Sequence, residues 1–435
     1  MKNNLIKGLL YSTFIILSSC SKELDTTPSQ SIDAGTALAT SDDVKAALVG
    51  TYDDFGDDDF FGGRIFMEAD LLANVNEMNW SGTYQGLTQI NNKSIPVDNG
   101  FVTNSWLAGY KAINDANNVL SAINVVEASD SADVAGQAKF IRGASYFELV
   151  KMFAKAWNDG DPSANLGVPI ILTPTSTVTE ESKVKRNTVA EVYQQVMKDL
   201  SEAEASSDNP APAAAMLARV YLQQGDYANA LQAANRAIKN SKASLTETYA
   251  EAFGTANTSE DIFAIQVTPT SGIQGFNEFY SSSQRGDIQI TDASLGLYDS
   301  TDDRLNLFYN DNGSVYTGKF EELYGNVHTI RLAEMLLVRA ESNFRLGTVV
   351  GAAPVADINA IRLRAKLPAY TGELTLDKIL KERQLELAFE GFRLDDVKRL
   401  QLSLGSLPWN SPKLIFPIPK REILANSNLI QNEGY

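Results

Sequence analysis

The stretch AAAMLARVYLQQGDYANALQAANRAIKN, residues 213–240, constrains the fold of this chain more than any other. Met216, Leu217, Val220 and Tyr221 recur at helical spacing and form one apolar stripe. Gly225-Asp226 interrupts the pattern, and Tyr227, Ala230, Leu231, Ala234, Ala237 and Ile238 form a second stripe. Small residues fall where the two helices must touch: Ala218, Gly225, Ala230 and Ala237. A hairpin of this kind must bury its apolar face against a neighbour, so more helical pairs are required. The seven-residue step from Ala218 to Gly225 recurs from Ala340 to Gly347 in RLAEMLLVRAESNFRLG, ahead of a helix near 352–365.

The hairpin resembles a tetratricopeptide unit. Periodicity places further helices near 102–124 and 132–156, which could form another pair, and one starting after Ser41 as N-cap, where Asp42 and Asp43 suit the positive helix end. Residues 53–101 are rich in Asp, Asn and Gly and read as irregular, residues 159–185 as a proline-containing loop. Residues 254–328 again break the helical pattern, around the strand-like DIFAIQV at 261–267. The predicted fold is therefore mostly α, a tetratricopeptide-like helical hairpin scaffold with an irregular, loop-rich lobe. It forms one domain over 41–435, with irregular insertions at 53–101 and 254–328.

Residues 1–19 read as a lipoprotein signal peptide: Lys2 and Lys7 precede a short apolar run that ends in Leu17-Ser18-Ser19-Cys20. This resembles a bacterial lipobox, which makes the Cys20 thiol the attachment point for lipid and residues 20–40 an acylated cysteine with a flexible tether. The chain has one Cys and one His among its 435 residues, which excludes internal disulfides and sites built on two imidazoles. The formal charge of −17 repels phosphate backbones, so no nucleic-acid partner is expected.

Several segments together carry a resemblance to a family. ILKERQLELAFEGFRLDDVKRL (379–400) resembles the C-terminal signature of the SusD/RagB nutrient-uptake lipoproteins, and KLIFPIPKREILANSNLIQNEGY (413–435) their closing segment. TVAEVYQQVMKDL (188–200), WLAGYKAINDANNVL (106–120) and AKFIRGASYFELVKMF (138–153) match in the family's order. The resemblance implies a lipid-anchored, cell-surface-exposed protein of a Bacteroidetes-type outer membrane. It implies an oligosaccharide ligand, or in the RagB branch a peptide, delivered to a TonB-dependent SusC-like porin over which the protein sits as a lid. It implies a binding protein and not an enzyme.

Within 379–400, Glu382, Glu386 and Glu390 recur at i, i+4, i+8 and repel unless cations meet them; Arg383, Arg393 and Arg399 are the candidates. Such a set reads as an ion network before it reads as acid–base catalysis. Gly391 fits a helix end, and Phe416-Pro417-Ile418-Pro419 an extended strap. For ligand binding, aromatics in polar loops supply flat faces for sugar rings and their neighbours supply hydroxyl partners. Two loops qualify. In 74–93 the candidates are Trp80 and Tyr84 for stacking, with Asn76, Asn79 and Gln85 for hydroxyls, joined by Asp70 just before it; in 272–287 they are Tyr280 and Arg285. Trp106, Trp157 and Trp409 read as packing residues. A surface glycosidase needs a carboxylate pair across a cleft, for which Asp70 and Glu77 are the nearest candidates and better read as hydroxyl acceptors. Asp53, Asp54, Asp57, Asp58 and Asp59 lack the spacing of an EF-hand loop and read as a solvated turn, so neither metal nor cofactor is expected.

Overall fold

The computed structural model describes residues 37–435, apart from 176, 178 and 271. The signal peptide, Cys20 and the tether up to residue 36 lie outside the described residues. The described chain is mostly helical, with a few short strands. Helix α1 (Ser41–Phe55) starts one residue earlier than its Asp pair suggests. Thr40, not Ser41, is the N-cap, and Thr40 and Asp43 form a reciprocal capping box.

The scaffold is a chain of neighbouring helices. Helix α4 (Gly100–Ser121) packs on α1 and on α5 (Ser131–Phe153), and α5 packs on α6 (Val189–Ser206). Helix α6 packs on α7 (Ala211–Gln224), α7 on α8 (Tyr227–Ser241), and α8 on α11 (Leu332–Leu346), which carries α12 (Pro354–Arg364) and α13 (Leu376–Glu386). The α7–α8 hairpin turns where the sequence demands it. Gly225 takes φ +73°, a conformation costly for any residue with a Cβ, and Asp226 caps the next helix by accepting from the Asn229 N–H. Ala218, Ala230, Ala234 and Ala237 are fully buried at the seam. Gly347 repeats the turn at the end of α11, with φ +66°.

Residues 53–101 are more regular than their composition suggests. They hold α2 (Arg64–Ala73), β1 (Met78–Trp80) and α3 (Gln85–Asn91). Every residue of α2 after Arg64 is buried, Glu68 and Asp70 included, so its polar residues do not mark a solvated face. The second lobe contains β2 (Asp261–Ile265), α9 (Gly275–Tyr280), β3 (Ile288–Ile290), α10 (Asp292–Leu295), the hairpin β4 (Phe308–Asp311) and β5 (Ser314–Thr317), and β6 (Val327–Arg331). The strands pair antiparallel as β1–β3, β2–β6 and β4–β5. His328 is spent inside this lobe: its ring nitrogens lie 2.9 Å from Asp261 and 2.9 Å from the Gly254 carbonyl.

The signature segment is a buried ion network, but most of its cations come from elsewhere in the chain. Glu386, fully buried, meets Arg331, Arg364 and Arg304. Glu382 meets Arg304 at 2.7 Å and Arg362 at 3.2 Å, and Glu390 meets Arg331 and Lys319. Arg383 and Arg399, expected to serve these glutamates, instead hold Asp396 and, for Arg399, Glu341. Arg393 faces Glu77 at 3.9 Å. Helix α13 ends at Glu386, so Glu390 sits in the following turn and not on the same helix face. The closing segment is a strap: the Phe416 N–H donates to Met152 O, the Lys420 N–H donates to Val97 O, and the Phe416 ring is fully buried against Phe153.

Candidate functional site

The two candidate loops, some 200 residues apart in sequence, are one surface in space. Strands β1 and β3 pair with Met78 opposite Ile290, Asn79 opposite Gln289 and Trp80 opposite Ile288. Alternation turns Met78, Ile288 and Ile290 inward, all buried, and leaves Asn79 outward. Strand β1 is held from below by Asn74, whose side chain both donates to Met78 O and accepts from Met78 N. Lys93 fixes the end of α2 by donating to the carbonyls of Leu71, Asn74 and Asn91.

Trp80 is half-buried, its indole N–H donating to the Thr88 hydroxyl at 2.8 Å. Gly82 lies so close to the six-membered ring of Trp80 that a Cβ there would sit 2.3 Å from it. Tyr84 is exposed (40%), and the Arg285 guanidinium stands 4.0 Å from its ring centre. Arg285 is fixed in turn: Nε donates to Asp287 at 2.7 Å and Nη2 to the Thr83 hydroxyl at 3.1 Å. Asn79 donates to Gln289, which donates to Ser81, so a run of amides and hydroxyls lines the outward side of β1 and β3. Gln85 opens α3 beside Tyr84 and is exposed, as is Asn76 on the other side of β1. The structure thus brings Trp80, Tyr84, Gln85 and Arg285 together at one end of the β1–β3 pair, while Asn79, with Gln289, points from the opposite side of the strands. It adds Thr83, Ser81, Asp287 and Gln289, which sequence reasoning missed because only the strand register brings them there.

Two candidates leave the list. Tyr280 is fully buried, because α9 packs its ring against Phe276, Phe320 and Phe389; its hydroxyl donates to Asp70 at 3.1 Å. Asp70 is buried as well, accepting from Tyr280 and from the Gly391 N–H, and burial pushes its carboxyl up to about 7. The pair supports the floor of the surface and does not reach a ligand on top of it. Glu77 accepts from the backbone N–H groups of Val75 and Asn76. In the acidic turn the carboxylates of Asp57, Asp58 and Asp59 converge, and Arg64 pairs with Asp58, Asp59 and Glu278.

A separate cavity of about 370 Å³ lies between α13, α14 (Arg393–Arg399), Met78 and the segment around Leu297. Neither Trp80 nor Tyr84 lines it. Phe389, on its wall, takes φ +66°, a rare conformation for a bulky residue.

Fold and surface together define a helical-hairpin scaffold that presents an open aromatic-and-amide platform, the form of a binding module. A family model described as "Starch-binding associating with outer membrane" matches residues 44–222, and the SusD family model matches 291–413. The chain belongs to the SusD/RagB family. Among relatives, SusD-like protein P2 of Formosa agariphila is 26% identical over 97% of this chain and 99% of its own length. The starch-binding protein SusD of Bacteroides thetaiotaomicron is 32% identical over 123 residues, 25% of this chain and 22% of that protein. Among solved structures, a putative sugar binding protein from Bacteroides vulgatus superposes with a TM-score of 0.83 at 27% identity, covering 92% of this chain and all of that one. A SusD superfamily protein from Bacteroides thetaiotaomicron follows at 0.79 and 26%, covering 90% of this chain and 99% of that one.

Proposed function

We propose that the protein captures oligosaccharides at the cell surface on the Trp80–Tyr84–Arg285 platform and hands them to a SusC-like TonB-dependent porin, without transforming them. The observation that carries this reading is the joining of two polar, aromatic loops by the β1–β3 pairing, which sets Arg285 over the Tyr84 ring. Aromatic faces accept the C–H side of a pyranose ring, and the adjoining Gln85 and Thr83 offer donors and acceptors for hydroxyls. The family and the starch- and sugar-binding names of its relatives support the same class of ligand. A peptide ligand, as in the RagB branch, is the second reading; the amide-rich border serves it too, whereas ring stacking on Trp80 favours sugars. The carboxylates at and below the platform support the non-catalytic reading, since Asp287, Asp70 and Glu77 are engaged with Arg285, with Tyr280 and Gly391, and with the backbone of residues 75 and 76.

Anchoring is part of the proposal. Cys20 carries lipid, and residues 21–40 tether the scaffold to the outer membrane. Among the described residues no helix is long and apolar enough to cross a membrane. Labelling cells with a palmitate analogue tests the anchor: label on the full chain and none on Cys20→Ala supports it, while equal label on both refutes it. A glycan array with a peptide library alongside, probed with the protein lacking residues 1–20, tests the ligand class. Binding confined to peptides would refute the glycan reading.

A further inference from the structure

We infer that the 370 Å³ cavity beside the platform is a carboxylate-binding subsite, and that the captured glycan is one carrying uronic acid. The inference rests on the glycan reading above.

Three cations (Lys381, Arg383, Arg393) and four acids (Asp70, Glu77, Asp377, Asp396) line the cavity, and the cations are incompletely paired. Arg383 is 2% exposed and its Nε is bound to Asp396, but its Nη1 is buried with no hydrogen-bond partner. Asp396 is shared with Arg399, whose other nitrogens hold Glu341, itself also paired with Arg345. In this cluster three guanidinium groups (Arg345, Arg383, Arg399) share two carboxylates (Glu341, Asp396), and Arg383 alone of the three borders the cavity. Two more cations line it. Arg393 Nε is buried without a hydrogen bond, its nearest carboxylate being Glu77 at 3.9 Å. Lys381 has no hydrogen-bonded or ion-paired partner among the described residues, and the cations at hand lie against it: burial and the nearby Arg304 push its ammonium down.

Of the four acids on the same walls, three are engaged. Asp70 receives Tyr280 and Gly391, Glu77 receives two backbone N–H groups, Asp396 receives two arginines, and Asp377 is exposed in the first turn of α13. A buried donor without an acceptor costs free energy, and a charged donor costs more, so the site is completed by an incoming anion. A guanidinium edge favours a carboxylate, which matches its planar geometry. The remaining walls, Leu297, Leu387, Phe392 and Leu400, suit the apolar face of a compact ring. The turn that carries Phe389 at φ +66° and Gly391 at φ +85° forms one side of this cavity, consistent with strain retained where a ligand is met. Glu77 and Met78 line the cavity and precede Trp80 in the chain, so the cavity and the platform adjoin the same strand.

The test compares a short oligogalacturonate with its fully methyl-esterified form, titrated calorimetrically into the protein lacking residues 1–20. The two probes share a shape and differ in charge. The acid form should bind about tenfold or more tightly than the ester, with the gap narrowing as salt is raised. The gap should fall below about threefold in the Lys381→Met/Arg393→Gln double variant. Both side chains are partly exposed, and neither holds Asp396, so the variant keeps the fold even where Arg383→Gln does not. Equal binding of acid and ester, or a gap that survives the double variant, overturns the inference. Binding of neutral oligosaccharides alone overturns it and leaves the proposed function standing. Binding of carboxylate-terminated peptides in place of any sugar overturns both.

Discussion

Replacing Glu386 by Gln should destabilise the protein by about 3 kcal/mol, and the loss should shrink in acid. Glu386 is fully buried and stands against Arg331 at 3.1 Å, against Arg364 and, at 3.5 Å, against Arg304. Burial alone would raise its carboxyl, but Arg364, Arg331 and Arg304 outweigh it and hold the group at about 2, against an ordinary 4.5. At 1.36 kcal/mol per pH unit that difference is worth about 3.4 kcal/mol near pH 7, in line with the roughly 3–5 kcal/mol lost when one partner of a buried ion pair is removed. The sign follows from the direction of the shift. A carboxyl depressed on folding stabilises the folded state above its unfolded pKa, and that stabilisation is lost as pH falls from 4.5 towards 2. Linkage gives about 2 kcal/mol left at pH 3.5. Urea denaturation of wild type and Glu386→Gln at the two pH values reads the difference directly, because the other titrating groups are common to both chains. A difference under about 1 kcal/mol near neutral pH, or one that does not change with pH, would show that Glu386 does not anchor the network as its contacts suggest.

Other outcomes follow from the same geometry. Gly391→Ala should be far more damaging than Gly225→Ala in thermal melts. Both have positive φ, so each pays about 1 kcal/mol, but a Cβ at 225 meets open space, whereas at 391 it would fall 2.7 Å from Phe66 Cβ. Glu68, buried with only the Ser105 hydroxyl on its carboxylate, is pushed up to about 8, so it costs stability increasingly as pH rises from 4.5 towards 8. Glu68→Gln should therefore stabilise the protein by more than about 1 kcal/mol at pH 8 and not at pH 4, measured by urea denaturation; equal effects at both would contradict it. Gly82→Ala should weaken ligand binding without lowering the melting temperature appreciably, since its Cβ would displace the Trp80 ring at the surface.

Much of the scaffold could be read from residue patterns. The stripes of α7 and α8, the Gly225 turn and the Asp226 cap follow from local chemistry, and the signature segment announced an ion network. What could not be read depends on distant partners. Helix α2 is short and buried on all sides, and it sits in a segment rich in Asp, Asn and Gly, so its segment looked irregular. Strands β1 and β3 have three residues each, too few for an alternation to register, yet their pairing decides which loops share a face. Tyr280 resembled an exposed loop aromatic because its neighbours are Ser and Gln. The one-turn helix α9 buries it, and nothing local records that Phe320 and Phe389 cover the ring. The arginines serving Glu382 and Glu386 come from residues 304, 331, 362 and 364, whereas the nearer Arg383 and Arg399 have Asp396 and Glu341.

The central claim is that one face, built from Trp80, Tyr84 and Arg285, holds a glycan. Its most direct measurement is a calorimetric titration of the best array ligand into wild type and Trp80→Ala, with melting temperatures recorded for both. The account predicts a loss of about 2 kcal/mol or more, some thirtyfold in affinity, with the fold retained. An oligosaccharide that binds Trp80→Ala as tightly as wild type would contradict it.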